Sequence, residues 1–280
     1  MTSLSVKEYL SLKMPTEEAP VSDQSRILLA LDALGYEHVT IPLHILRILY
    51  PMCRDANFDI TVTLVHREHD WVVTHVEPGD QCHHHYGLAV DYGSTTILMQ
   101  LIDLNTGSLI AEEKLVNGQV AYGTDILTRI TYCLEHEEHP ANLQRVTVET
   151  FHSLLAQLTE STAIDATKCS VMVVSGNTTM VHFLLGLNAW TVFAAPFAPV
   201  RADPGFLWEK YRVLRNSSLD GARKVLLDHS QLAEAKGLLK NIYCVQFASI
   251  PDFLVRMQAA KFIPHTDMNR FPSVRQKLNK

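Results

Sequence analysis

The chain has 280 residues, 47% of them hydrophobic, and 24 basic against 30 acidic side chains give a formal net charge of -6. A chain of this length buries a sizeable core, in one large domain or two modest ones, and its mildly acidic balance offers nothing to a nucleic-acid backbone. No apolar run approaches the roughly 20 residues of a membrane helix and the charged N-terminal segment lacks a signal-peptide core, so the expectation is a globular cytoplasmic protein.

Residues 1–23 read as a tail, followed by a small α+β domain over 24–85. Two short helices come first, in SRILLALDALGYE and PLHILRILYPM, where apolar residues recur every three or four positions and Pro42 and Pro51 act as punctuation. FDITVTLVHRE and DWVVTHVE then alternate apolar and polar residues around a charged turn, which predicts a hairpin with one buried face. Glu77-Pro78-Gly79-Asp80 breaks the pattern and marks a boundary. Just beyond it, Cys82 beside His83, His84 and His85 crowds soft and imidazole ligands together. Adjacent residues of an extended segment point to opposite faces, however, so this reads as the polar start of a strand in preference to a metal site.

The most informative stretch is YGLAVDYGSTTILMQLIDLNTGSLIAEEKL. Tyr86 to Val90 suits a buried strand, Asp91 ends it, Gly93 permits a tight turn, and Thr95, Thr96 and Ile97 open a second strand. Asn105-Thr106-Gly107 turns into a third. At such a turn the backbone N–H groups of Gly93, Ser94, Thr95 and Thr96 converge on an anion, the hydroxyls add donors, and Asp91 can hold the divalent ion that accompanies a nucleotide phosphate. An ordinary hairpin containing Asp and Thr is the competing reading. Helices expected over 122–138 and 143–159, a buried strand SVMVVSG and a helix opening at Asn177-Thr178-Thr179 complete a strand-strand-strand-helix-strand-helix order. That is the order of an α/β, ribonuclease-H-like lobe, which should span residues 86–200.

The same stretches resemble the reductive activators of corrinoid proteins, within the actin, sugar kinase and heat-shock chaperone superfamily of ATPases. YGLAVDYGSTT is similar to their first phosphate motif, NGQVAYGTDILTRI and VVSGNTTMVHFLLGLNAW to the segments after it, and FAAPFAPV and IPDFLVRMQAAKFIPHTDMNRFPSV to later ones. Departures are mild: Tyr92 stands for a small aliphatic residue, Ser94 for Thr, Gly118 for a proline, and Ser175 for an aliphatic residue or glycine. The resemblance implies ATP-dependent reductive activation of a corrinoid protein or corrinoid-dependent methyltransferase. It implies ATP and Mg2+ as cofactors, Asp91 as metal ligand and catalytic group with Asp125, and Gly93, Ser94, Thr95, Thr96, Asn177 and Thr178 around the phosphates. Asp125 equally suits the acidic first turn of a helix, and Asn177 a helix cap.

Cys53, Cys82, Cys133, Cys169 and Cys244 are scattered singly, a spacing that excludes the four-cysteine ferredoxin motif of the family. The expectation is therefore no iron–sulfur cluster in this chain and a separate electron donor. RADPGFLWEKYRVL stands where the family carries a second phosphate turn and a glycine-rich adenosine loop. Residues 201–280 then read as a bridge with a helix-strand-helix segment completing the core. A half-site of this kind is expected to bind ATP weakly and to hydrolyse none unless a homodimer completes it. The alternative is a shortened, non-catalytic homologue that still docks on the corrinoid partner. His265 and Asp267 read as a C-terminal turn, and Trp71, Trp190 and Trp208 as packing groups.

Overall fold

The computed structural model describes residues 3–67, 70–195, 206–209, 211–215, 219–228 and 246–247. Two sheets organise it. The first has strand order β1-β3-β4-β2, from β1 (Ser5–Ser11), β2 (Val39–Thr40), β3 (Asp59–Arg67) and β4 (Asp70–Pro78). Helices α1 (Asp23–Ala33) and α2 (Leu43–Asp55) cover one face. Ile27 and Leu31 of α1, and Ile45, Leu49 and Cys53 of α2, recur at the four-residue spacing of one helix stripe and pack on Ile60, Val62 and Leu64 of β3. Each such fully buried side chain contributes about 1.5–3 kcal/mol relative to exposure.

Three details depart from the sequence reading of this region. Residues 5–11, read as part of a tail, form β1, which runs antiparallel to β3 from Ser5 opposite Val65 to Ser11 opposite Asp59. Pro51 does not stop α2; the helix runs through it to Asp55, forgoing one backbone hydrogen bond while Leu49 and Cys53 stay in the core. Strand β3, central in its sheet, is buried on both faces, since Thr61, Thr63 and Val65 are as inaccessible as the alternating Ile60, Val62 and Leu64, whereas β4 keeps His75 exposed.

The second sheet has seven strands in the order β11-β9-β10-β8-β5-β6-β7. Strands β5 (Tyr86–Tyr92), β6 (Thr96–Asp103) and β7 (Leu109–Val116) are successive antiparallel neighbours. Strand β8 (Val171–Gly176) joins β5 in parallel, and β10 (Tyr211–Arg215) joins β8 in parallel. Strand β9 (Phe206–Glu209) pairs antiparallel with β10, and β11 (Gln246–Phe247) parallel with β9. One face carries α3 (Ile126–Glu135), the long α4 (His139–Thr162) and α5 (Thr178–Leu185). There Leu88, Val90 and Tyr92 meet Leu143, Phe151, Leu154 and Leu158. The short α6 (Trp190–Phe193) comes after α5, and the opposite face carries α7 (Leu219–Leu227), whose Ala222, Val225 and Leu226 pack on Ala89, Val171 and Val173.

Residues 86–200 contribute the expected mixed sheet, with its first three strands antiparallel, but the sheet does not end there: RADPGFLWEKYRVL, read as a bridge, supplies β9 and most of β10, which continue it beyond β8. Helix boundaries moved for local reasons. The helix expected over 122–138 begins only at Ile126, because Gly118–Tyr122 forms a 3-10 turn and Asp125 supplies the cap of α3. The one expected over 143–159 starts four residues earlier, with Pro140 in its first turn, where a missing N–H costs nothing. His265, Asp267 and most of the expected C-terminal helix-strand-helix segment lie outside the described residues.

Candidate functional site

Strand β5 delivers Asp91 to the sheet end. Leu88, Val90 and Tyr92 enter the α4 core and Ala89 the α7 core, so by the two-residue period of a strand Asp91 stands on the α7 face. Its parallel neighbour β8 sets Ser175 opposite Asp91 and Gly176 opposite Tyr92, and the Ser175 hydroxyl donates to the Val90 carbonyl at 3.2 Å. Asn177 follows at once and caps α5, its side-chain oxygen accepting the Met180 N–H at 2.9 Å. The turn from Asp91 to Thr96 and the start of α5 at Asn177–Thr178 therefore lie side by side, at the carboxyl ends of adjacent parallel strands. Open α/β sheets hold ligands at such ends. Strand β10 adds a third parallel strand there, with Arg215 in register with Gly176.

The turn itself is tightly specified. A Cβ on Gly93 would lie 2.4 Å from the Thr96 carbonyl oxygen, so no larger residue fits without moving backbone. Asn117, fully buried, clamps the turn twice: its Nδ2 donates to the Gly93 carbonyl and its backbone N–H to the Thr95 carbonyl, both at 2.9 Å. Thr95 is exposed and Asp91, Gly93, Ser94 and Thr96 are partly buried. Gly93→Ala is expected to lower stability by about 1–3 kcal/mol, measured as a fall in the denaturant midpoint with the slope unchanged.

The Asp91 carboxylate has no hydrogen-bond partner among the described residues, and burial alone raises its pKa above the ordinary carboxylate value. Among the described residues no group of three His, Cys, Asp or Glu side chains converges, so Asp91 offers a single carboxylate, the kind of ligand through which Mg2+ is held together with waters and a nucleotide's own phosphates. Asp125 is placed differently. Its carboxylate accepts the Thr128 hydroxyl at 2.6 Å and the Thr128 N–H at 2.9 Å, capping α3 on the surface; these bonds hold its pKa below the ordinary value. Asn177 likewise spends its oxygen on a cap, so only its amide nitrogen could serve an anion.

Residues that the sequence reading passed over form a buried polar network behind the turn. The Tyr92 hydroxyl lies 2.8 Å from the Thr147 hydroxyl and accepts from Gln119 Nε2 at 2.9 Å. Gln119 Oε1 accepts from Arg129 Nη1 at 3.3 Å, and Arg129 Nε donates to the Gly123 carbonyl at 2.8 Å. The signal was present in the sequence: Arg129 interrupts the apolar stripe of Ile126, Ile130 and Cys133 on α3. Gly118, in place of the family's proline, supplies an N–H that donates to the Thr150 hydroxyl at 3.2 Å, a bond that proline cannot make. The Cys82–His85 cluster is dispersed: His84 meets Gln81, the Cys82 thiol donates to the Lys7 carbonyl, and His85 turns inward to Ser5. Trp71 packs edge-on against Tyr36 and His66.

A mixed sheet of this order, helices on both faces and a glycine turn at the end of its first strand, defines an actin-like ATPase lobe. Three models of one family match in chain order: the RACo linker region over residues 1–83, the RACo middle region over 86–217, and the C-terminal ASKHA domain of RACo over 201–275. The chain belongs to the RACo family. The corrinoid activation enzyme RamQ of Eubacterium limosum is 33% identical over 112 residues, which is 40% of this chain and 19% of that protein. The solved structure of a reductive activator for corrinoid, iron-sulfur protein superposes with a TM-score of 0.67 at 25% identity, over 78% of this chain and 36% of that one. The chain thus matches about a fifth of one relative's length and about a third of the other's.

Proposed function

We propose that this chain takes part in the ATP-dependent reductive activation of a corrinoid protein or corrinoid-dependent methyltransferase, supplying one phosphate-holding lobe. The observation that carries the reading is the Asp91–Thr96 turn: a tight backbone loop with no room for a side chain at Gly93, clamped by Asn117, with an unpaired carboxylate at its base and the start of α5 beside it. The relatives act on corrinoid proteins, as their names state. In this arrangement the turn's backbone N–H groups and the Ser94, Thr95 and Thr96 hydroxyls bind and orient phosphate oxygens, and Asp91 holds the accompanying Mg2+, which offsets phosphate charge when bound. Asp125 acts through the cap of α3, and electrons come from a separate donor.

One turn grips a triphosphate from one side only, so its contacts are screened by water and salt. Titration with magnesium-ATP is expected to give a dissociation constant on the order of 1 mM, near the weak end of specific binding, with phosphate release at background. Asp91→Ala is expected to abolish the magnesium dependence while the unfolding midpoint moves little. Because metal binding needs the carboxylate form and burial raises the Asp91 pKa, affinity is expected to fall as pH drops through that raised value. Unchanged magnesium-ATP binding by the Asp91→Ala variant would make the turn merely structural. Tight binding with turnover would instead place a second half-site in a homodimer, and capture of a corrinoid methyltransferase without nucleotide binding would favour a docking protein.

A further inference from the structure

Arg129 is 0% exposed, yet among the described residues it forms no salt bridge, and its Nη2 has no hydrogen-bond partner. Burying an unpaired guanidinium costs several kcal/mol, and an apolar side chain of similar volume is often more stable in such a place. A charge kept under those conditions marks a place where stability has been given up for something else. Its contacts indicate what. Arg129 holds the 3-10 turn at both ends, through the Gln119 side chain at 3.3 Å and the Gly123 carbonyl at 2.8 Å. The Gln119 backbone N–H in turn donates to Asn117 Oδ1 at 3.0 Å, which fixes the side-chain amide that clamps Gly93, on the residue whose backbone N–H clamps Thr95. On its other side Nη1 lies 3.8 Å from Met180 Sδ, on the residue whose N–H Asn177 caps. One side chain therefore touches the supports of both elements at the candidate site. Gln119 also bonds Tyr92, the position where the sequence departs from the family's small aliphatic residue.

We propose that Arg129, acting through Gln119 and Asn117, is a positioning residue that holds the Asp91–Thr96 turn in the form that accepts an anionic phosphate group. The role rests on the phosphate-holding reading of that turn. It does not require contact between Arg129 and the ligand.

The test is Arg129→Met in the full chain, read by amide hydrogen exchange without nucleotide and by magnesium-ATP titration with it. Exchange at the Asn117 and Gln119 amides is expected to speed up at least tenfold, while amides paired between β3 and β4 keep their rates. The magnesium-ATP dissociation constant should rise about 10–100-fold, the usual effect of removing an outer-shell support. Arg129→Lys, which keeps the charge and a donor, should recover part of both. Unchanged exchange at Asn117 in the Met variant, or faster exchange with unaltered ATP affinity, would overturn the assignment. Wild-type protein that binds no magnesium-ATP would instead overturn the phosphate reading, and with it the ligand part of this role, while the exchange data still decide the brace. If Arg129→Met fails to fold, Gln119→Met severs the same link and leaves the Gly123 bond in place; it is judged by the same two measurements.

Discussion

Between pH 6.5 and about pH 4 the folded chain is expected to lose about 3 kcal/mol of stability through one side chain, His85. His85 is 4% exposed and lies where the two sheets meet: its Nε2 is 3.1 Å from the Ser5 hydroxyl of β1, and its carbonyl accepts the Leu104 N–H at 2.8 Å. Burial is the main reason its pKa is pushed down from 6.5 to about 4; Lys7 lowers it further, while Asp103 and a hydrogen bond with Asn105 act the other way. The imidazole is therefore neutral in the native state at pH values where it is charged in the unfolded chain. Within that window the unfolded state binds the extra proton, so stability is complete above 6.5 and is lost as pH falls toward the native value. About 2 kcal/mol of the loss is due by pH 5. Asp91 opposes it, since burial disfavours its charged form and protonation there favours the folded state. Denaturant titrations at pH 7 and pH 5 on the wild type, on His85→Gln and on Asp91→Asn separate the two. His85→Gln should flatten the pH dependence; an undiminished slope in that variant would mean that other groups carry it.

How legible each element was in the sequence depends on how local its signal is. Strands β5, β6 and β8 were readable because each is a short apolar run ended by its own turn chemistry, at Asp91–Gly93, Asn105–Gly107 and Gly176–Asn177, whereas β7, which carries Glu112, Glu113 and Lys114, was readable from the turn that precedes it. The tight turn at Gly93 was readable for the same reason, since glycine solves a problem that arises within four residues of it. The clamps on that turn were not. Asn117 and Gln119 come from a segment 24 to 26 positions beyond Gly93 and as isolated letters read as surface polar residues, and Arg129, 36 positions beyond, shows in the sequence only as a break in the apolar stripe of α3; only the packing of α3 and α4 over β5 brings all three behind the turn. The same holds for His85, one of three consecutive histidines, whose different fates are decided by β1 pairing nearby. Local stops misled where tertiary packing overrode them. Pro51 sits inside α2 because the stripe of Ile45, Leu49 and Cys53 holds the helix on the sheet.

The clearest such override is at the N-terminal end, and it yields the other large expected effect. Residues 1–23, with mixed charge and short apolar stretches, lacked the length or periodicity of an element, yet β1 pairs along its whole length with β3. Just before it, Leu4 is 0% exposed and lies in the α7-side core with Ala89, Val171, Val173 and Val225, while its carbonyl accepts the His66 N–H at 2.9 Å. Leu4 thus belongs by backbone to the first sheet and by side chain to the core of the second. Leu4→Ala removes three carbons from a site whose walls are two strands and a helix, which have little freedom to close the gap, and is expected to cost about 2–5 kcal/mol. Met14, ten residues later and 55% exposed, is the internal control: Met14→Ala should stay within about 0.5 kcal/mol of wild type. Both values come from denaturant midpoints at pH 7, with the slope checked for constancy. Because Leu4 joins the two cores, its loss should shift the unfolding of both sheets together, seen as equal midpoint shifts by far-ultraviolet circular dichroism and by fluorescence of Trp71, which reports the first sheet once Trp190 and Trp208 are replaced by Phe. A Leu4→Ala variant as stable as Met14→Ala would return this segment to the status of a tail, and would remove the β1 contact on which the burial of His85 depends.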